Sequence, residues 1–241
     1  MLLSQIENLK GASLPLVIAL CGAGGKTSAL FDLAADFKRF CPDRPVVVLT
    51  TTRMMAARKP SIDYFISVEA LSEIKALSPG ITMIARGMDD QGKIYGFEPE
   101  DVDRWIEAAP GELGVALIEA DGANKKPLKA PREGEPRFPG KTQIALGVLG
   151  AEMFDMPAVD SGIHRLPLFL ELTGLMAGET VSSEAVIALI CSENGLFRTC
   201  PSNAHKIVLI NKVEGHHSAF IERVKAGTGL QVITVERGLW T

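Results

Sequence analysis

The sequence predicts an α/β chain in which helices flank a mostly parallel central sheet, and three observations predict it. Short apolar runs rich in branched residues recur as buried-strand candidates, at 15–21, 46–49, 115–118, 143–149, 206–210 and 230–235. Segments with apolar residues at helical spacing lie between several of them, so strands are joined by crossovers rather than by tight turns. Polar clusters follow four of the strands directly, at 22–28, 50–52, 119–121 and 211–214. In a parallel sheet all carboxyl ends open on one edge, where ligands bind, so these four segments converge by topology alone.

The first strand candidate runs into Gly22, Ala23, Gly24, Gly25, Lys26, Thr27 and Ser28. Glycines let the backbone turn tightly with its N–H groups pointing inward, and the apolar spacing of 29–37 makes Lys26, Thr27 and Ser28 the opening of a helix. The positive end of such a helix faces a bound anion. Lys26 would reach the β/γ-phosphates and the Thr27 hydroxyl would ligate Mg²⁺. Leu20 stands where the longer Gly-x-x-x-x-Gly-Lys-Ser/Thr loop has its first glycine, so the loop matches a shortened Gly-x-x-Gly-Lys-Thr form. The expected architecture is a P-loop NTPase-like three-layer fold.

Along the chain, Thr50, Thr51 and Thr52 gather hydroxyls at the end of the second strand. Residues 62–67 and 81–86 read as short strands around a helix at about 69–77, and turn residues between two β-like runs make 81–97 a hairpin excursion. Pro99 opens a helix ending near Ala109. Glu119 and Asp121 close the next strand. Side chains two apart share a strand face, so both acids would point at one cation, and Mg²⁺ uses one or two carboxylates beside phosphates.

The stretch 123–140 carries four prolines and several solvent-favouring charges, which makes it a long irregular loop in mid-domain. Lys125, Lys126, Lys129 and Arg132 would clamp phosphates or another anion there. Residues 163–176 suggest a loop and a short helix, and Ser182 or Ser183 caps the helix over 185–191. A last helix is expected at about 218–225. Asn211, Lys212 and Glu214 resemble the guanine-reading Asn-Lys-x-Asp signature, with one extra methylene on the acid, which leaves ATP and GTP both open. His216 and His217 read as surface residues.

The length of 241 residues suits a single domain over 1–241. A net charge of −4 and a pI near 5.7 argue against nucleic acid or an anionic membrane as the main partner. No apolar stretch approaches the roughly 20 residues of a membrane span, and Cys21, Cys41, Cys191 and Cys200 lack paired spacing, so reduced core thiols in a cytoplasmic protein are expected.

Several of these motifs together resemble one family. They are residues 22–28, the Thr-Thr-Thr-Arg-Met of 50–54, Glu-Ala-Asp-Gly-Ala at 119–123, Lys-Pro-Leu-Lys-Ala-Pro at 126–131, Glu135-Pro136, His164-Arg165 and Asn211-Lys212-Val213. They are similar to the selenium-dependent hydroxylase accessory proteins of the YqeC type. The resemblance implies a role in maturing molybdenum hydroxylases, with such a hydroxylase or its cofactor precursor as partner. Gly134 and Glu214 stand where the family pattern has histidine and aspartate.

The leading expectation is a Mg²⁺-dependent nucleoside-triphosphate binder and slow NTPase acting as an accessory factor. Lys26 would stabilise the transferring phosphoryl group, Thr27 with Glu119 or Asp121 would hold Mg²⁺, and a carboxylate or Thr51 would orient water. Alternatives are an ATP-dependent phosphotransferase or ligase acting on an anionic small molecule, and a nucleotide-sensing module without chemistry.

Overall fold

The computed structural model describes residues 2–6, 14–56, 61–108 and 113–237. Its centre is an eight-stranded sheet whose paired neighbours are all parallel. The strands are β1 (Leu16–Gly22), β2 (Pro45–Thr50), β4 (Tyr64–Ser67), β5 (Gly80–Ala85), β8 (Val115–Glu119), β10 (Ile144–Gly150), β12 (His205–Val213) and β13 (Gln231–Glu236), in the spatial order β13-β12-β10-β1-β8-β2-β5-β4. Every residue of β1, β2, β8 and β10 is buried, as expected of parallel strands covered on both faces.

Alternation along each strand divides the core into two layers. Leu16, Ile18 and Leu20 join Val46, Val48 and Leu117 under the helix α1 (Lys26–Phe40), through Ala29, Leu30 and Leu33. Val17, Ala19, Cys21, Val47 and Ile118 face the opposite layer. There pack α2 (Pro99–Ala108), α3 (Leu166–Thr173), α4 (Ser183–Cys191) and α5 (Ser218–Thr228). The three-layer arrangement with a mostly parallel sheet is the one the strand pattern predicts.

Outside the main sheet, β3 (Arg53–Met55), β6 (Gly87–Met88) and β7 (Lys93–Tyr95) form a small antiparallel sheet in the order β3-β7-β6. The hairpin is therefore shorter than the predicted excursion, because 80–85 belongs to the main sheet. It is held to the end of β2 by Gly96 N–H donating to Thr52 O (2.8 Å) and Phe97 N–H donating to Thr50 O (3.0 Å). Two further residue pairs, β9 (Leu128–Lys129) and β11 (Ile163–His164), lie parallel to each other and anchor the irregular loop.

Several expectations need correction. The helix expected at 69–77 is a single 3-10 turn at Leu71–Glu73, since Leu71 and Leu77 reach the core from an otherwise extended crossover, with Ile74 already extended at φ −77°, ψ 110°. Ser182 does cap α4, accepting from Ala185 N–H. The predicted end of α2 near Ala109 lies outside the described residues. Of the cysteines only Cys21 is a core thiol; Cys41 and Cys200 are half-buried and Cys191 is exposed, and all four are free. His217 is buried rather than on the surface, its ring edge against Phe154 and its Nδ1 accepting from Glu214 N–H, whereas His216 is exposed. Among the described residues no helix is long and apolar enough to cross a membrane.

Candidate functional site

Strand order places the four polar clusters around one cavity of about 950 Å³ at the carboxyl edge of the sheet. Gly24 to Ser28, Thr51 and Thr52, Glu119, and Lys212 all line it. The register explains why: Glu119 lies beside Leu20 of β1 on one side and beside Thr50 of β2 on the other, which brings the acid next to the loop that follows β1.

The loop is shaped by close backbone approach. Gly24 has φ +79°, and a Cβ there would lie 2.1 Å from Gly150 N; Gly25 has φ +123°, and its Cβ would meet Asn211 Nδ2 at 2.3 Å. Only glycine fits either position. Not every loop amide is free for an anion, contrary to the expectation. Gly22 N–H donates to Asp121 Oδ2 (3.1 Å), Ala23 N–H to Val148 O (2.8 Å) and Gly24 N–H to Lys126 O (3.1 Å). Gly22 and Ala23 therefore build the floor of the loop, and the anion-facing part begins at Gly25 and the first turn of α1. That turn contains no acidic residue and its N-cap Gly25 offers no capping side chain, so its backbone N–H groups are not capped from within the helix.

Lys26 is 5% exposed, donates to Gly22 O at 2.7 Å and lies 3.2 Å from Asp121 Oδ1. Burial disfavours its charge, but Asp121 and Glu119 outweigh burial and raise its pKa, so the ammonium is held charged at the floor of the cavity. Thr27 Oγ1 donates to Glu119 Oε2 at 2.8 Å. Burial raises the Glu119 pKa, against the pull of Lys26 and the Thr27 hydroxyl.

Asp121 departs from its expected role. It is 1% exposed, does not line the cavity, and spends its carboxylate on Lys26, on Gly22 N–H and on Lys129 Nζ at 2.8 Å. As a metal ligand or catalytic acid it is thus replaced by a buried anchor for Lys26. Lys129, expected as a phosphate clamp, is itself 1% exposed and bridges Asp121 and Glu135, each at 2.8 Å. Glu135 in turn accepts two N–H groups from Arg165, at 2.7 and 2.8 Å, and one from Arg132 at 2.8 Å. Despite its burial, Arg165 and Lys129 pull the Glu135 pKa down to about 2. A continuous ion network therefore runs from Lys26 through Asp121, Lys129 and Glu135 to Arg165. Its nearest sequence signal was the Glu135-Pro136 and His164-Arg165 pairs, but no spacing rule joins them, because 30 residues separate Glu135 from Arg165.

The remaining predicted residues divide. Thr51 Oγ1 donates to Arg137 O at 2.7 Å, so the hydroxyl clamps the loop rather than being poised for water. Lys126 lines the cavity while donating to Ile163 O. Asn211 does not line the cavity; its Nδ2 donates to Gly24 O at 3.0 Å and steadies the loop from behind. Lys212, at φ +62°, lines the cavity and pairs with Glu152 at 2.5 Å. Glu214 pairs with Arg237 Nη1 at 2.8 Å and lies outside the cavity, so it is not placed to read a guanine base. Arg86, Lys93 and Tyr95 also line the cavity, and sequence reasoning did not find them.

The family model described as YqeC protein matches residues 18–167, which hold most of β1, the loop, both acids and the ion network. The chain belongs to the YqeC family. A relative described as uncharacterized protein YqeC, of Escherichia coli strain K12, is 33% identical over 199 residues, covering 82% of this chain and 76% of that protein. Among solved structures, the MinD cell division protein of Aquifex aeolicus aligns over 92% of this chain and 82% of its own, at 12% identity and a TM-score of 0.46. Within the YqeC match, Lys26, Thr27, Glu119, Asp121, Lys129, Glu135 and Arg165 are all included, whereas Asn211 and Lys212 fall beyond it.

Proposed function

We propose that this YqeC-family chain binds a nucleoside triphosphate with Mg²⁺ and hydrolyses it slowly, as an accessory factor in maturing a molybdenum hydroxylase. One observation carries the nucleotide reading: a charged, buried Lys26 and the Thr27–Glu119 pair sit at the uncapped start of α1, inside a large cavity. Lys26 and the Gly25 to Ser28 backbone would hold the phosphates, with Lys26 exchanging its Gly22 carbonyl for a phosphate oxygen. Asn211 keeps Gly24 in place, and Asp121 with Lys129 keeps Lys26 aimed.

The residues fit Mg²⁺. Thr27 and Glu119 offer two adjacent hard oxygens facing the cavity, and a divalent cation would offset the burial that raises the Glu119 pKa. Among the described residues no three His, Cys, Asp or Glu side chains cluster for a metal. That suits an ion completed by phosphates and water. When bound, Mg²⁺ would supply charge neutralisation at the transferring phosphoryl group. The accessory role and a cytoplasmic place rest on the resemblance of the motifs at 22–28, 119–123 and 126–131 to the YqeC type and belong to this proposal.

Binding of ATP and GTP, measured side by side with and without Mg²⁺, tests the reading. Lys26→Ala should weaken affinity more than about fivefold, a loss of about 1 kcal/mol. Unchanged affinity in that variant refutes the loop assignment. Phosphate release without any acceptor supports hydrolysis, and turnover only with an added acid or phosphorylated acceptor supports transfer instead.

A further inference from the structure

The cavity has two walls of different chemistry. On the β12 side Lys212 is matched by Glu152. The β2 side is the small antiparallel sheet, whose Asp89 carboxylate accepts the Lys93 backbone N–H at 2.9 Å and pairs with no side-chain cation among the described residues. Period-two alternation puts Arg53 and Met55 of β3 on one face with Lys93 and Tyr95 of β7, in register as Arg53 opposite Tyr95 and Met55 opposite Lys93. Met54 and Ile94 on the other face are buried. The four front residues all line the cavity, joined by Arg86 at the entrance to β6, whose N–H donates to Tyr95 O.

Ten Lys and Arg side chains line the cavity against four Glu, in a chain whose net charge is −4. Each of the four acids already has a partner: Glu98 with Arg137, Glu119 with Thr27, Glu135 with Lys129 and Arg165, and Glu152 with Lys212. Among the described residues no carboxylate pairs with Arg53, Arg86 or Lys93, and the Arg53 guanidinium lies over the Tyr95 ring at 4.6 Å. Focusing cations on one concave wall while the rest of the molecule is acidic concentrates anions there. The volume stands near the top of the roughly 300–1,000 Å³ range of small-molecule sites, which leaves room beside a triphosphate.

We propose that the wall bearing Arg53, Arg86, Lys93 and Tyr95 is a second subsite, which takes a small polyanion carrying phosphate or carboxylate groups next to the nucleotide. Two guanidinium forks and an ammonium suit either oxyanion, and Tyr95 holds Arg53 in place from below. The inference rests on the nucleotide reading for the identity of its neighbour, but its cations are separate from Lys26 and Thr27.

Calorimetric titration tests it, with inorganic phosphate and with propane-1,2,3-tricarboxylate as probes. The protein is first saturated with Mg²⁺ and a non-hydrolysable nucleotide. At least one probe should bind, and the preferred one identifies the anionic group. Arg53→Ala with Arg86→Ala should weaken that probe at least tenfold and leave nucleotide affinity within threefold. Arg53 and Arg86 are exposed, so the core is untouched, and Arg53→Lys with Arg86→Lys should restore part of the binding. The proposal falls if neither probe binds, if nucleotide abolishes probe binding, or if the double alanine variant binds like the wild type. If no nucleotide binds at all, the titration is run without it. A loss confined to the Arg53/Arg86 variant and absent from Lys26→Ala then upholds the subsite while the nucleotide reading fails.

Discussion

Replacing Lys129 by Met tests whether the buried ion network holds the site together. Lys129 bridges Asp121 and Glu135 at 2.8 Å each, with the ammonium and the Asp121 carboxylate 1% exposed. Removing one member of a buried charge cluster costs roughly 3–5 kcal/mol, because the partner is left without compensation. Here compensation is partial. Glu135 keeps Arg165 and Arg132, and Asp121 keeps Gly22 N–H at 3.1 Å and Lys26 at 3.2 Å. Methionine also fills most of the lysine stem, so little cavity forms. The expected loss is near the lower bound, about 3 kcal/mol. For a chain of this size that corresponds to a Tm drop of about 6–12 °C, read by circular dichroism and cross-checked by urea denaturation. A loss below about 1 kcal/mol would mean that the network contributes no more than a surface ion pair, and the assignment of Lys129 as the structural bridge would be wrong.

Gly24→Ala places a Cβ at φ +79° and 2.1 Å from Gly150 N, so it should lower stability by roughly 1–3 kcal/mol from the backbone alone and abolish nucleotide binding; calorimetry showing wild-type affinity would contradict the loop geometry. Asn211→Ala removes the donor to Gly24 O and should weaken nucleotide binding about tenfold, equivalent to about 1.4 kcal/mol, as measured by equilibrium titration. Stability against pH tests Glu135. Its carboxyl takes up a proton near pH 2 when folded and near 4.5 when free, so the unfolded chain binds more protons between those values and stability falls as pH drops from about 5 to 2. One such group changes stability by at most about 1.4 kcal/mol per pH unit, and Glu135→Gln should flatten the acid limb of the urea-midpoint profile by that amount.

The loop and the sheet edge were legible because local rules govern them. A buried parallel strand must be apolar throughout, and glycines before Lys26 admit a turn no other residue can make. Convergence of Lys26, Thr51, Glu119 and Lys212 followed from parallel topology without knowledge of any contact. The helix expected at 69–77 failed because apolar spacing alone does not distinguish a helix from an extended crossover whose leucines are drawn into the core.

By itself the sequence determined that this chain forms a three-layer fold with a glycine loop and two acids at one sheet edge. It could not determine which acid faces the cavity. Glu119 and Asp121 share a strand-face pattern, but only the folded chain brings Lys129 and Lys26 beneath the loop to take Asp121 and leave Glu119 beside Thr27. Nor could it show that Arg53, Arg86 and Lys93 form one wall, since that depends on how the small sheet docks on the end of β2. Strand and turn are encoded by near neighbours in sequence, whereas the partner of a buried charge is chosen by packing between segments far apart in the chain.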